Sequence, residues 1–425
     1  MNIVSKEYVK RIVDPHIKEY LEMMGALLIE GPKWCGKTRT SEEFSKSILY
    51  VKGKNLIRSL NMMIDNGVHT PLEGDTPRLI DEWQNVPAIL DAVKFEVDHR
   101  HGKRGQFILT GSSAPPKNST VDCGAGRIAR ITMYPMSLFE SGESNGQISL
   151  SKLFNSDDNI GGYSEFTVDK LSFALTRGGW PESLNETSDK ASRIASQYVK
   201  AITRSDFFRT DDGNGNATSI RRIIESISRN ISTPASRETI RKGINGEEGT
   251  MADATLVNYL EAMERIFLIE NLPAWNPRIR SKTRLMKTPK WHFTDPSVAT
   301  AALGISSDAL LMDYNTFGLL FESLCIRDLR VYSQPLDGRV SYFCNKNGHE
   351  VDIIVELMGG KWGAIEVKLG DEYIDEGAKN LLKLRDDINT EYMKQPSFLM
   401  VLTAGQFGYR RPDGVLVVPI GCLKD

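Results

Sequence analysis

The sequence lacks long hydrophobic runs. Its longest apolar stretches, such as 398–402, have the length of a strand, and none approaches the ~20 residues that span a bilayer. The N-terminal residues Met1–Glu7 contain no apolar core of the kind found in secretory signal peptides. We therefore expect a cytoplasmic protein with no membrane-spanning segment.

Cysteine is scarce, and neither sign of charge dominates. The five cysteines are scattered, and no pair has the close spacing of metal ligands, so we expect neither a disulfide framework nor a zinc site. The 53 Lys and Arg residues nearly balance the 55 Asp and Glu residues. Whole-chain charge therefore says nothing about a nucleic-acid partner, and any such signal must be local.

Strand-like segments alternate with helical patterns along the first part of the chain. The strand-like segments are Ala26–Glu30, Ile48–Val51, Arg78–Ile80 and Gln106–Thr110, and a helical pattern covers 87–99. This alternation predicts a parallel sheet flanked by helices. A mostly helical stretch follows at about 165–208, and strands and helices alternate again beyond residue 317, which predicts a second α/β domain.

A glycine-rich loop follows the first of these strands and opens a helix. Its residues are Gly31, Pro32, Lys33, Trp34, Cys35, Gly36, Lys37 and Thr38. The two glycines let backbone N–H groups face phosphates, Lys37 reaches the β and γ phosphates, and the Thr38 hydroxyl ligates magnesium. This pattern in this position predicts an ATP site with Mg²⁺.

An acidic pair ends the strand at 78–80. Asp81 is expected to hold Mg²⁺ through a water molecule, and Glu82 is expected to polarise the attacking water as a general base. After the next strand, the hydroxyl of Thr110 or Ser112 is a candidate sensor of the γ phosphate.

Two arginines follow in the segment 126–130. An arginine from a neighbouring subunit often completes such sites by neutralising charge in the transition state. We favour Arg127 over Arg130 for this role, and we therefore expect a homo-oligomer.

These motifs, in this order, resemble a family of bacterial and archaeal AAA-type ATPases in which a C-terminal domain with a nuclease-like fold follows the ATPase. Further segments that carry the resemblance are Leu109–Ser113, Gly126-Arg127, Pro135–Ser137 with Glu140, Gly178–Glu182 and Arg204–Asp206. Cys35 departs from the family, which usually has a small or β-branched residue there. Its side chain is expected to point away from the phosphates.

The C-terminal region holds a second set of charged residues. Glu322 lies on a predicted helix, Asp352 lies on a strand, and Glu366 and Lys368 share one face of the next strand. Two carboxylates could hold a magnesium ion while the lysine orients or deprotonates a water molecule. These positions resemble the PD-(D/E)XK nuclease superfamily, which implies that Asp352 and Glu366 bind metal and that Glu366 and Lys368 are catalytic. The alternative is a nuclease-like fold that keeps these residues without cutting.

Three helical patterns and a strand-like run at 266–269 resemble a winged helix within 218–272. The following segment Pro277–Lys290 is basic and contains no acidic residue, so it could contact the phosphates of DNA. A solvated basic loop is the alternative for this segment, and a protein–protein role is the alternative for the winged helix.

We therefore predict an α/β protein with the following parts: a P-loop AAA-type ATPase domain at 1–160, a helical segment at 161–210, a winged-helix-like segment with a basic loop at 211–290, and a restriction-endonuclease-like, PD-(D/E)XK-type domain at 291–425. The predicted function is ATP binding and hydrolysis that controls the nuclease-like domain on DNA. The alternative is a nucleotide-gated binding or scaffold protein whose nuclease-like domain does not cleave.

Overall fold

The computed structural model describes residues 7–112, 124, 126–155, 160–204, 217–244, 251–277, 287–391 and 393–425. The chain divides into two compact units, one comprising Met1–Pro135 with Arg265–Leu268 and the other comprising Met136–Glu264 with Ile269–Asp425. Several sequence-based predictions fall outside the described residues. They concern Ser113, Ser205-Asp206, residues 211–216 at the start of the predicted winged-helix-like segment, and residues 278–286 of the basic segment.

The first unit alternates helices and strands. In chain order they are α1 (Asp14–Met23), β1 (Ala26–Glu30), α2 (Lys37–Phe44), β2 (Ser47–Tyr50), α3 (Lys54–Asp65), β3 (Arg78–Asp81), α4 (Ile89–His99), β4 (Phe107–Gly111) and β5 (Ile128–Thr132). The strands form one sheet in the order β2-β3-β4-β1-β5, and every neighbouring pair is parallel. The predicted parallel sheet is confirmed.

Both faces of this sheet are covered. Ala26 and Leu28 of β1 pack into one apolar cluster, and Leu27 and Ile29 pack into another on the opposite face. Successive side chains of a strand point to opposite faces, so a strand buried on both sides reads as a continuous apolar run. Because the strands are parallel, the loops that follow β1, β3 and β4 meet at one edge of the sheet.

The second unit begins with short strands and helices. In chain order they are β6 (Ile148–Ser149), α5 (Leu150–Phe154), β7 (Gly162–Tyr163), α6 (Val168–Arg177), α7 (Ser188–Thr203), α8 (Ala217–Arg229), α9 (Arg237–Ile244), α10 (Asp253–Arg265), β8 (Ala274–Trp275), α11 (Ser297–Leu303), α12 (Ser307–Leu310) and α13 (Tyr314–Ser333). The rest comprises β9 (Arg339–Cys344), β10 (Glu350–Glu356), β11 (Trp362–Lys368), α14 (Ile374–Asp387), β12 (Phe398–Thr403), β13 (Phe407–Arg410), β14 (Leu416–Pro419) and β15 (Leu423–Lys424).

An eight-stranded sheet forms the core of the second unit, in the order β7-β13-β14-β12-β11-β10-β9-β8. Strands β9, β10 and β11 are antiparallel neighbours, whereas β11, β12 and β14 run parallel. Helix α14 covers β11 and β12 with Ala378, Leu381 and Leu384, which join an apolar cluster with Trp362 and Val401. The sheet register pairs Ile353 with Ile365, which sets Asp352 opposite Glu366.

A buried ion cluster connects distant parts of the second unit. The guanidinium of Arg327 on α13 lies 2.9 Å from an oxygen of Asp295 and 2.7 Å from an oxygen of Asp328, and all three side chains are buried. The Asp328 carboxylate also accepts a hydrogen bond from Leu138 N, and the Asp295 carboxylate accepts one from Gly179 N. The cluster therefore fastens both the segment after Pro135 and the Gly178-Gly179-Trp180 motif.

The polar segment after residue 136 belongs to the second unit. The sequence predicts an ATPase domain that extends to residue 160, whereas the first unit ends at Pro135. The reason is that β6 pairs in parallel with β15 and that Leu150, Leu153 and Phe154 of α5 are buried. Although the segment is rich in Ser, Gly and Asn, its few apolar side chains pack into the second unit.

The predicted winged helix differs from the structure in its last element. The three helices α8, α9 and α10 occur in the expected order. Residues 266–269 do not form the predicted strand, because Phe267 has a positive φ of 57° that an extended chain cannot adopt. Ile269 forms only an isolated bridge with Phe293.

We predict that Gly179→Ala destabilises the second unit. A Cβ atom at Gly179 would lie 2.2 Å from the carbonyl oxygen of Met136, whose N–H donates to Gly179 O. The backbone would have to shift, at a cost of about 1–3 kcal/mol or more. Thermal unfolding should show a lower melting temperature. The control is Gly318→Ala inside α13, where a Cβ atom meets nothing within 4 Å and should be neutral or stabilising; equal behaviour of the two variants would contradict this account.

Candidate functional site

The glycine-rich loop connects β1 to α2. Gly36 has a φ of 102° and Gly31 a φ of 149°, a region that side-chain-bearing residues rarely adopt. A Cβ atom at Gly31 would also lie 2.2 Å from Met133 O on the segment after β5. Lys37 is buried, and its ammonium donates to Gly31 O at 2.8 Å and to Pro32 O at 2.6 Å. Lys37 thus connects the end of the loop to its first two residues by hydrogen bonds.

The remaining loop positions differ in exposure. Lys33 and Trp34 are exposed, and Trp34 has a positive φ of 68°. Cys35 is fully buried in an apolar cluster below the loop, and its thiol contacts Met133 O. The loop therefore accommodates the cysteine by burying its side chain in the core.

Asp81 is the centre of the polar network at the sheet edge. Its Oδ1 atom accepts hydrogen bonds of 2.7 Å from both Thr38 and Thr110, and its Oδ2 atom lies 2.6 Å from the Lys52 ammonium. Burial alone would raise the pKa of Asp81, but the hydrogen bonds from Lys52, Thr110 and Thr38 outweigh it and lower the pKa. Asp81 is therefore a carboxylate.

A carboxylate next to the Thr38 hydroxyl offers the oxygen ligands that Mg²⁺ prefers. The residues present at this position therefore fit a magnesium ion held with a nucleotide, with Thr38 and Asp81 as its protein contacts.

Glu82 lies beside Asp81 in a left-handed conformation, with a φ of 61°. Its Oε2 atom accepts hydrogen bonds from the side-chain amide of Gln84 and, at 3.4 Å, from the Ser112 hydroxyl. Gln84 also donates to Ser112. Gln84, from the loop after β3, and Ser112, from the loop after β4, thus orient the carboxylate of Glu82, which the sequence predicts to be the general base.

The two candidate arginines lie on or beside β5. Arg127 precedes the strand and forms an ion pair with Asp98 at 2.8 Å; both side chains are about half exposed. Since β5 runs parallel to β1, Arg127 is at the opposite edge of the sheet from the loop that follows β1. Arg130 lies 3.6 Å from Glu30. Within one chain, Arg127 is therefore not part of the Asp81 network.

Sequence reasoning missed Lys52 and Gln84. Lys52 follows β2, the neighbour of β3, so the rule that parallel strands share a carboxyl edge could have identified it. Gln84 lies two residues after Glu82, where a side chain can return toward the same carboxylate.

The second candidate site lies on β10 and β11. Glu366 is buried; Asn380 Nδ2 donates to its Oε1 atom at 2.7 Å, and the Lys368 ammonium lies 3.4 Å from its Oε2 atom. Asp352 accepts a hydrogen bond of 2.9 Å from Val367 N. The structure therefore places Asp352, Glu366 and Lys368 in one cluster.

An additional lysine occupies this region. Lys290, the last residue of the basic segment, places its ammonium 2.9 Å from Glu322, 2.6 Å from Glu350 and 3.9 Å from Asp352. Glu322 thus approaches from α13 as expected, but its contact is a lysine. Nothing in the local sequence around Lys290 indicates this contact, which spans 32 residues to Glu322.

Burial and neighbouring charges shift the pKa values of two groups in this cluster, Glu366 and Lys290. Burial and the neighbouring Asp352 raise the pKa of Glu366 to about 8. For Lys290, burial would lower the pKa, but the carboxylates of Glu322, Asp352 and Glu350 outweigh it and raise the pKa. Among the described residues, no group of three or more His, Cys, Asp or Glu side chains is arranged to hold a metal ion. Two carboxylates of this cluster instead contact lysines, Glu322 with Lys290 and Glu366 with Lys368.

Comparison with known families agrees with the geometry of the first site. Residues 24–141 match the family model described as an AAA domain. We therefore refer to this part of the chain as the AAA domain. Residues 168–309 match a domain of unknown function (DUF8612), and residues 317–423 match another (DUF4143).

Two solved structures are similar to this chain. A Walker-type ATPase of Pyrococcus abyssi shares 13% identity with a TM-score of 0.41, and the match covers 68% of this chain and 94% of that one. A DNA replication initiation factor shares 15% identity with a TM-score of 0.22, covering 60% and 86% respectively. No curated protein matches the chain. Among the described residues, no helix is long and apolar enough to cross a membrane.

We predict that Lys52→Met destabilises the AAA domain. It would leave the buried Asp81 carboxylate with hydroxyl donors alone, which should cost about 1–3 kcal/mol. Thermal unfolding without nucleotide measures this loss, and Mg²⁺ with ADP should reduce it because a cation near Asp81 replaces the lost charge. Lys54→Met, at an exposed position two residues later, is the control. Equal melting temperatures for the two variants would refute the role of Lys52.

Proposed function

We propose that this AAA protein binds ATP with Mg²⁺ in the loop Gly31–Thr38, hydrolyses it, and uses the nucleotide cycle to control its C-terminal nuclease-like domain on DNA. The observation that carries the proposal is the convergence of Thr38, Lys52 and Thr110 on one buried carboxylate, Asp81. Those side chains come from separate loops and strands, and packing alone does not require them to meet.

Each residue of the nucleotide site has a specific role. The backbone from Gly31 through Gly36 surrounds the phosphates, Lys37 binds them, and Thr38 and Asp81 hold Mg²⁺, which neutralises phosphate charge. Glu82 accepts the proton of the attacking water, with its carboxylate oriented by Gln84 and Ser112. Thr110 keeps Asp81 in position from β4. The Lys37 ammonium must leave the carbonyl oxygens of Gly31 and Pro32 to reach the phosphates.

We further propose a homo-oligomer in which Arg127 enters the site of a neighbouring subunit. Its place at the opposite edge of the sheet prevents it from serving its own site, and its ion pair with Asp98 is half exposed and weak. Such a pair can open at little cost when a more strongly charged partner is offered.

The DNA partner rests on the basic composition of Pro277–Lys290. Of its described lysines, Lys287 donates to Cys344 and Asn345, and Lys290 contacts carboxylates. This favours a second candidate function, a nucleotide-gated binding or scaffold protein whose nuclease-like domain does not cut. In the cutting version, Asp352 and Glu366 hold metal, and Glu366 and Lys368 act on the phosphodiester.

We predict that Lys37→Ala abolishes tight ATP binding, because the lysine charge that binds the phosphates is lost.

Glu82→Gln should bind ATP with unchanged affinity but hydrolyse it about 10²–10⁴-fold more slowly, because the general base is gone. Fluorescent-nucleotide binding and phosphate release measure the two effects. Glu73→Gln, at an exposed position before β3, is the control. Normal turnover in Glu82→Gln would show that another group is the base.

We predict that Arg127→Ala binds ATP normally but hydrolyses it about 10³-fold more slowly or worse, as expected for loss of a trans-acting arginine. Mixing it with Glu82→Gln should restore partial activity, because mixed assemblies contain some complete sites. Arg130→Ala is the matched control, because Arg130 lies on β5 three residues later and is paired with Glu30. Full activity of a monomer at high dilution would contradict the proposal.

A further inference from the structure

The ammonium of Lys290 is enclosed by carboxylates. Glu350, Glu322 and Asp352 lie 2.6, 2.9 and 3.9 Å from Nζ, and the lysine side chain is only 3% exposed. The ring of Tyr342 covers another side, with its centroid 5.5 Å from Nζ. A single positive charge thus stands at the point where these acidic side chains converge.

The backbone holds Lys290 in this place. Its N–H and C=O both pair with Leu272, at 3.0 and 2.9 Å. The next residue, Trp291, donates its indole N–H to Ala235 O at 2.7 Å, and its backbone pairs with Ser232 and Thr233. Lys290 is therefore anchored on both sides by hydrogen bonds to other segments.

The predicted metal ligands Asp352 and Glu366 also contact donor groups of the protein. Asp352 Oδ2 accepts from Val367 N, and the two oxygens of Glu366 face Asn380 and Lys368. A metal ligand must be deprotonated and must offer a lone pair to the ion. A divalent ion bound here would share these oxygens with their protein donors and would bring two positive charges close to the Lys290 ammonium.

We infer that Lys290 is the built-in cation of the C-terminal acidic cluster, and that the folded domain therefore takes up no divalent metal ion there and does not cleave DNA by a metal-dependent route. The inference rests on the proposed nuclease-like character of the domain. It favours the version of the proposed function in which this domain does not cut DNA. The domain keeps the acidic side chains of a nuclease site, but a lysine ammonium lies among them.

The first test counts bound Mn²⁺ by titration calorimetry on the full chain saturated with ADP. Wild type and Asp352→Asn should bind the same number of ions, and neither should cut single- or double-stranded DNA with Mn²⁺ or Mg²⁺. One more ion in wild type than in Asp352→Asn, or cleavage that Asp352→Asn abolishes, overturns the inference. This comparison does not require any Lys290 variant to fold.

The second test replaces the lysine. Lys290→Met should lower the melting temperature, since three carboxylates lose their counter-charge, and millimolar Mn²⁺ should raise it again, while Mn²⁺ leaves wild type unchanged. Lys287→Met is the matched control, because Lys287 lies in the same segment but touches only a thiol and a carbonyl. A melting temperature of Lys290→Met equal to that of Lys287→Met, or no recovery with Mn²⁺, overturns the inference.

The inference and the proposed function can fail separately. Metal-dependent cleavage by wild type with intact ATP turnover would remove the inference and leave the ATPase-controlled nuclease. Absence of ATP turnover in wild type would remove the proposed function, whereas the count of metal ions would still decide the role of Lys290.

Discussion

The guanidinium of Arg327 is buried between Asp295 and Asp328, and much of the second unit is arranged around this contact. A buried charge that loses its partner costs about 3–5 kcal/mol, so the three side chains must stay together. The two carboxylates also accept hydrogen bonds from Leu138 N and Gly179 N, so the cluster gives the Gly178-Gly179-Trp180 motif a structural role.

At each of the two candidate sites a lysine stands beside a carboxylate, but the two lysines differ in exposure. Asp81 is neutralised by Lys52, which is more than half exposed and can move when a cation arrives. Lys290 is almost fully enclosed, and its backbone is paired on both sides. The first arrangement suits a site that exchanges its cation in every cycle. The second suits a permanent structural charge.

Sequence reasoning succeeded where the chemistry follows the chain order. The loop Gly31–Thr38 and the pair Asp81-Glu82 each follow a buried strand, and parallel strands bring such loops to one edge, so the confirmed sheet also indicates which residues are neighbours. It could not predict Lys290, because a basic segment looks the same whether its lysines face solvent or a carboxylate. It also misjudged 266–269, where apolar residues form a turn with Phe267 at positive φ.

The pairing of β6 with β15 has a consequence for synthesis. The hydroxyl of Ser144 donates to Leu423 O across 279 residues, and the β6 strand has its described ladder partner only at Leu423 and Lys424. The ribosome makes the chain from its N-terminus, so the sheet of the first unit can form early. The β6 strand of the segment after Pro135 gains this ladder partner only when residues 423–424 emerge. Chaperone dependence during translation should therefore concentrate on this segment.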